Sequence, residues 1–298
     1  MNSMNFLKGL FGGDQQEDNK SVNQEGGSLL EMMESEHGVL IPKALASHWK
    51  DIKKTCRETV KIGATPNDNL TMRESKFGHY PCIPRNFDFP KDKEGNYMFP
   101  LAQINFSEVP KLKGFPEKGY LQFYIKTNDS YGLSFDNDVP SDFKVLFFEE
   151  SEVTDIEDDF TFLKDLLVNE YTPVYCPHSL AFEHRHEYVG LGDYHADRNK
   201  SFNLDKLLKE HEAVADKLES TIYEIFQSTG NKIGGYAFFT QDDPRNYNED
   251  IQEYQLLFQM DSGDKIMWGD VGVANFFIHP NQLSKKDFSN VFYNWDCC

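Results

Sequence analysis

The chain has 298 residues, 39% of them hydrophobic and 14% aromatic, so it can bury a sizeable core and is not intrinsically disordered over most of its length. Thirty Lys and Arg oppose 49 Asp and Glu, a net charge of −19 that repels phosphate backbones and argues against nucleic-acid binding. Mean hydropathy is −0.61, no stretch approaches the roughly 18 apolar residues of a membrane span, and the first residues lack a continuous apolar signal core. The expectation is a cytoplasmic protein with no transmembrane segment.

Residues 1–28 stand apart. A short apolar patch, Phe6, Leu7, Leu10 and Phe11, precedes a polar, Gly-rich stretch to Ser28 that reads as a flexible tail. Pro42 suits a first helical turn, and Leu45, Trp49, Ile52 and Cys56 then recur on one helical face. Short aromatic or β-branched runs follow as strands, at 97–106, 120–126, 143–148, 182–189, 254–261, 265–268 and 273–279, separated by Gly, Pro, Asn and Asp. Their polar alternate positions favour antiparallel pairing. A long helix is expected between Asn203, a plausible N-cap, and Gly230. Its stripe includes Leu204, Leu207, Leu218, Ile222 and Phe226.

Two parts of the chain match each other. Lys76-Phe77-Gly78-His79-Tyr80 aligns with Lys232-Ile233-Gly234-Gly235-Tyr236, and Leu101–Asn105 with Leu257–Asp261 at the same spacing of 156 residues. Gly119–Ile125 aligns with Gly272–Ile278 at a spacing of 153. The period is far longer than that of a solenoid. The expected fold is α+β, β-dominated and largely antiparallel: an internal duplication of a β-rich unit, with the long helix connecting the copies. Residues 29–298 form one duplicated domain in this reading, with copies at about 60–150 and 230–298.

These segments carry a resemblance. Ser75–Gly78, Leu101–Phe106, Gly119–Phe123, Gly234–Tyr236, Phe239-Thr240-Gln241, Asp243-Pro244-Arg245, Trp268-Gly269-Asp270 and Tyr293–Cys298 resemble the YwqG-like family of bacterial proteins. The resemblance spans roughly residues 40–298. It implies a duplicated β-dominated fold and no activity, because the family is a domain of unknown function with no catalytic residues to carry over.

Chemistry-bearing residues fall into four groups. Cys176, His178, His184, His186, Asp193 and His195 are zinc-ligand types, and His184 and His186 share one strand face. The spacing matches no finger pattern, so no metal is favoured and no cofactor is expected; His178, His184 and His186 are the alternative metal set. The five cysteines suit a reducing compartment rather than a disulfide framework. Adjacent Cys297 and Cys298, with His279, could make a nucleophilic pair, but packing beside Trp295 explains them as well. The acidic run from Glu149 to Asp159 lacks the spacing of a calcium loop and reads as a solvated loop able to face a basic partner.

Paired amides are the fourth group. Gln103 and Gln259 lie mid-strand in matching positions, as do Gln122 and Asn275. They either satisfy one another internally or line a polar ligand groove together with Arg245, Trp268, Asp270 and His279. No phosphate loop, dinucleotide fingerprint, nucleophile elbow or HExxH motif occurs. The functional expectation is a non-catalytic binding protein, with a basic protein as partner. The alternative is a small-molecule, hydrolase-like enzyme working in a groove between the copies.

Overall fold

The computed structural model describes residues 28–136, 141–190, 192–195 and 203–298. The apolar patch expected at residues 6–11 lies outside them. The described residues gather into two compact units, one from 28–55 with 203–227 and one from 56–136, 141–190, 192–195 and 228–298. No helix among the described residues is long and apolar enough to cross a membrane.

In the first unit, β1 (Met32–Glu34) and β2 (Leu40–Pro42) form an antiparallel hairpin with Met33 opposite Ile41. The helix expected after Pro42 is broken into a 3-10 turn at Lys43–Leu45, a single turn α1 (Trp49–Ile52) and another 3-10 turn at Lys53–Thr55. The apolar period is as expected, with Ala44, Leu45 and Ile52 buried, but so short a segment does not sustain a continuous helix. The long helix is likewise divided. Asn203 caps α2 (Leu204–Glu210) by accepting the Lys206 amide hydrogen bond at 2.9 Å. His211 then leaves helical geometry at φ −130°, and α3 (Ala215–Phe226) follows a 3-10 turn at Glu212–Val214. Leu218, Ile222 and Phe226, spaced by four, are the buried stripe of α3, which packs on β2.

The second unit is a ten-stranded antiparallel sheet. Its strands are β3 (Arg57–Pro66), β4 (Lys76–Phe77), β5 (Phe99–Asn105), β6 (Tyr120–Ile125), β7 (Phe143–Phe148), β8 (His178–Glu187), β9 (Lys232–Gly234), β10 (Gln255–Asp261), β11 (Val273–Ile278) and β12 (Val291–Asp296). A short helix, α4 (Pro280–Ser284), joins the last two. Most of the strands expected from the sequence appear within a few residues of their expected bounds. Residues 265–268 are the exception: Ile266 makes only isolated bridges, to Val174 and Gly263. Strands β3, β4, β9 and β12 were not among those expected.

The spatial order is β12-β11-β10-β9-β3-β8-β4-β5-β6-β7. It is a mirror of itself about the β3–β8 pair: β4 to β7 run outward on one side and β9 to β12 on the other. Strand β3 pairs with β9 and β8 with β4, so the leading strand of each five-strand run sits beside the second strand of the other. The sheet curls into a nearly closed barrel. Phe123 on β6 lies 4.7 Å, ring to ring, from both Phe258 on β10 and Phe276 on β11, and Phe143 on β7 lies 5.2 Å from Tyr293 on β12. The two flanks thus share one apolar interior, built from alternate residues of each strand.

Matching residues in the two runs make matching local structure. Strands β5 and β10 carry the same irregularity, between Pro100 and Ala102 and between Leu256 and Phe258. Lys76 faces Gln103 and Lys232 faces Gln259. Gly78 and Gly234 both adopt left-handed backbone, φ 63° and 68°, which a side chain rarely takes. A Cβ at either would also meet a core side chain, Val174 or Leu112, at 2.8 Å.

Candidate functional site

The mid-strand amides point away from the barrel interior and are consumed by the loops that cover them. Gln103 Nε2 donates to the carbonyls of Met72 and Glu74 at 2.8 and 2.9 Å, and its Oε1 accepts from the Cys82 amide at 2.7 Å. Gln259 repeats this with Ser228 and Gly230, both at 2.8 Å, and with the Phe238 amide at 2.8 Å. Gln122 donates to Cys82 O, as Asn275 donates to Phe238 O. A buried amide must satisfy its donors and acceptor, and these bonds satisfy nearly all of them. The amides therefore clamp the covering loops to the sheet.

The other residues expected in a polar groove are held by separate neighbours. Arg245 is buried, donating to Asp193 Oδ2 at 2.8 Å and to Asp243 Oδ2 at 2.6 Å. Trp268 is fully buried, packed at 5.3 Å against the Tyr131 ring. Asp270 lies exposed in the turn before β11. His279 caps α4, its Nδ1 accepting from the Asn281 amide, and its Nε2 lies 3.5 Å from Glu253.

Three buried ionic arrangements stand out. Lys232 is fully buried and its ammonium donates to both oxygens of Glu187, at 3.2 and 3.0 Å; Glu187 also accepts the Tyr236 amide. Lys76, at the matching position, donates to the carbonyls of Thr71 and Tyr80. Burial, only partly offset by neighbouring negative charge, lowers Lys76 to about 8. Asp193, the third case, accepts from the His195 amide at 2.8 Å and lies 2.7 Å from His195 Nδ1. Burial pushes this carboxyl up, but Arg245 and His195 overcome burial and hold it well below the usual carboxylate range.

The histidines expected as metal ligands do not converge as a trio. His178 is fully buried with Nε2 on Asp264 O at 2.8 Å, at the opposite end of β8 from the other two. His184 and His186 share one face, their rings 5.3 Å apart, and Glu58 on β3 comes to 3.3 Å from His184 Nε2. Asp92, Glu94 and Asp142 also cluster, but the Lys126 ammonium sits among them, 3.6 Å from Asp92 and 3.5 Å from Asp142. An internal cation thus serves that group. Cys297 packs where Gly269 leaves room for its sulfur, beside Trp295.

One cavity of about 290 Å³ opens where the two five-strand runs meet. Arg57, Glu58, Leu112, Lys113, Phe115, Gly234, Gly235, Gln255 and Leu256 line it. Glu58 and Glu187 carry no motif; only the register of β3 on β8 and β9 brings them to His184 and Lys232.

The model of a family described as a domain of unknown function, DUF1963, matches residues 75–297. The chain belongs to this family. The match covers the clamped amides, both buried lysines and the whole of β4 to β12, and leaves out β3. No curated protein matches the chain. A family described only as a domain of unknown function assigns no residue roles, and the sites rest on their own geometry.

Proposed function

We propose that the chain is a non-catalytic cytoplasmic binding protein whose acidic surface engages a basic protein. The observation that carries this reading is the form of the 149–159 segment. Val153 and Phe160 are buried and anchor it, while Glu150, Glu152, Asp155, Asp158 and Asp159 are exposed. Glu157 accepts the amides of Asp158 and Asp159 at 3.0 and 3.1 Å, which fixes the loop from within. Arg85 answers Asp155 and Asp158, Lys118 lies 3.6 Å from Glu150 and Lys286 pairs with Glu149, so the surface holds three cations against an excess of carboxylates. A held acidic surface on a chain of charge −19 speeds encounter with a cationic partner and repels acidic ones.

The test is affinity capture from the native cytoplasm over a salt series, repeated with Glu150→Lys/Glu152→Lys. A stoichiometric basic protein, released by salt and lost with the charge reversal, is the expected result. Recovery that ignores both salt and the reversal sinks the proposal.

The second reading, a small-molecule enzyme between the repeats, draws support from the 290 Å³ cavity, whose walls come from both runs and include two cations, Arg57 and Lys113. We also infer that the runs β3–β7 and β8–β12 are copies of one ancestral unit. The shared bulge, the shared left-handed glycine and the repeated Gln clamp support it. The finer family label, YwqG-like, rests on the motif resemblance.

A further inference from the structure

We propose that the 290 Å³ cavity is a binding site for a small organic anion, a carboxylate carried on a short apolar body. It rests on the second reading above, that a small molecule is held where the two runs meet, and adds the chemical class of that molecule. It requires no catalysis.

The charge follows from Arg57. Two carboxylates are its neighbours on the strands: Glu187, opposite it in the β3–β8 register, and Glu58, next to it in sequence. Neither answers it. Glu187 is taken by the Lys232 ammonium, at 3.2 and 3.0 Å, and by the Tyr236 amide. Glu58 projects from the other face of the strand and lies 3.3 Å from His184 Nε2. The Arg57 guanidinium instead sits 4.3 Å from the centre of the Tyr236 ring. Contact with an aromatic ring holds a guanidinium by its face and leaves its N–H groups for an acceptor. Among the described residues no carboxylate pairs with Arg57, although the chain has 49 acidic residues to 30 basic ones.

Lys113, exposed on the loop between β5 and β6, lines the same cavity, and no carboxylate of the described residues pairs with it either. Glu58, the one acid in the wall, already faces His184, so the charge offered to a ligand is positive. Leu112, Phe115 and Leu256 supply an apolar wall. At ~30 Å³ for each water-sized group, 290 Å³ admits about ten non-hydrogen atoms. A guanidinium fork matches a carboxylate in two parallel hydrogen bonds. A small carboxylate thus meets Arg57 with its charge and the apolar wall with its body.

The experiment follows 4-fluorobenzoate and its neutral isostere 4-fluorobenzamide by fluorine NMR against the full chain, in the wild type, Arg57→Met, Arg57→Lys, Lys113→Met and Phe115→Ala. Thermal melts without ligand verify that each variant folds. The expected result is one benzoate per wild-type chain and binding of the amide weaker by about tenfold or more. Arg57→Met abolishes that preference. Arg57→Lys keeps the charge without the fork and falls between. Lys113→Met chiefly reduces the salt dependence of binding. Equal affinity for acid and amide, lowered for both by Phe115→Ala, overturns the anion and leaves the cavity a small-molecule site. A preference for the acid that survives Arg57→Met also overturns it. No binding of either compound, or binding that no substitution alters, overturns the anion together with the reading it rests on.

Discussion

Lys76 and Lys232 hold one position in two settings. Lys232 meets a carboxylate, whereas Lys76 meets only carbonyls. The folded state lowers Lys76 from 10.5 to about 8, chiefly by burial. Between these values the unfolded chain binds a proton that the folded chain does not, so stability rises with pH across the window. Below about pH 8 both states are protonated and the full cost of burying the ammonium is present. Urea unfolding from pH 7.5 to 10.5 should show the wild type gaining about 3 kcal/mol relative to Lys76→Met, following the conversion of one pKa unit to ~1.4 kcal/mol. Parallel pH profiles for the two proteins would show that Lys76 is not the buried cation described.

At the level of strands and loops, the Gln clamps are the parts to test. Gln103→Leu removes the partners of the Cys82 amide and of two carbonyls, and Gln259→Leu does the same to Phe238, Ser228 and Gly230. Each buried group left unpaired costs about 1–3 kcal/mol, so each variant should lose several kcal/mol. Losses that agree within about 1 kcal/mol on chemical denaturation are expected from matched clamps; a near-neutral effect at either site would disqualify that clamp. The matched Gln positions were legible in the sequence because both the residue and its spacing repeat. Strand β3 was not. Its Thr59-Val60-Lys61-Ile62 alternation follows directly on a helical pattern ending at Cys56, and a local reading assigns such a boundary poorly. The division of the long helix at His211 was hidden for a related reason: the apolar stripe continues through the break. Glu58 and Glu187 were invisible as site residues because their partners lie more than 40 residues away in sequence and are set by register alone. His184 and His186 could be paired from spacing, since a two-residue step keeps one face.

For the whole molecule, charge is the dominant property. A net −19 makes the folded state repel itself, and salt screens that repulsion, with a Debye length of ~10 Å at 0.1 M. The thermal midpoint should therefore rise between about 20 and 200 mM NaCl, as scanning calorimetry can record. A falling midpoint would mean that surface ion pairs such as Arg85–Asp158 outweigh the net repulsion.

The placing of β3 beside β9 and of β8 beside β4 has a mechanical consequence. Severing the chain between β7 and β8 would yield two pieces, neither able to complete its own half of the barrel. Each would expose a bare β4 or β9 edge and would carry a leading strand fitted to the other. Such pieces should recover structure only when mixed, by mutual insertion, and an excess of either should self-associate through the vacant edge. If the two runs are copies of one unit, as proposed above, a single copy meets the same requirement by exchanging its first strand with a twin, and one chain ties the two partners of that exchange together.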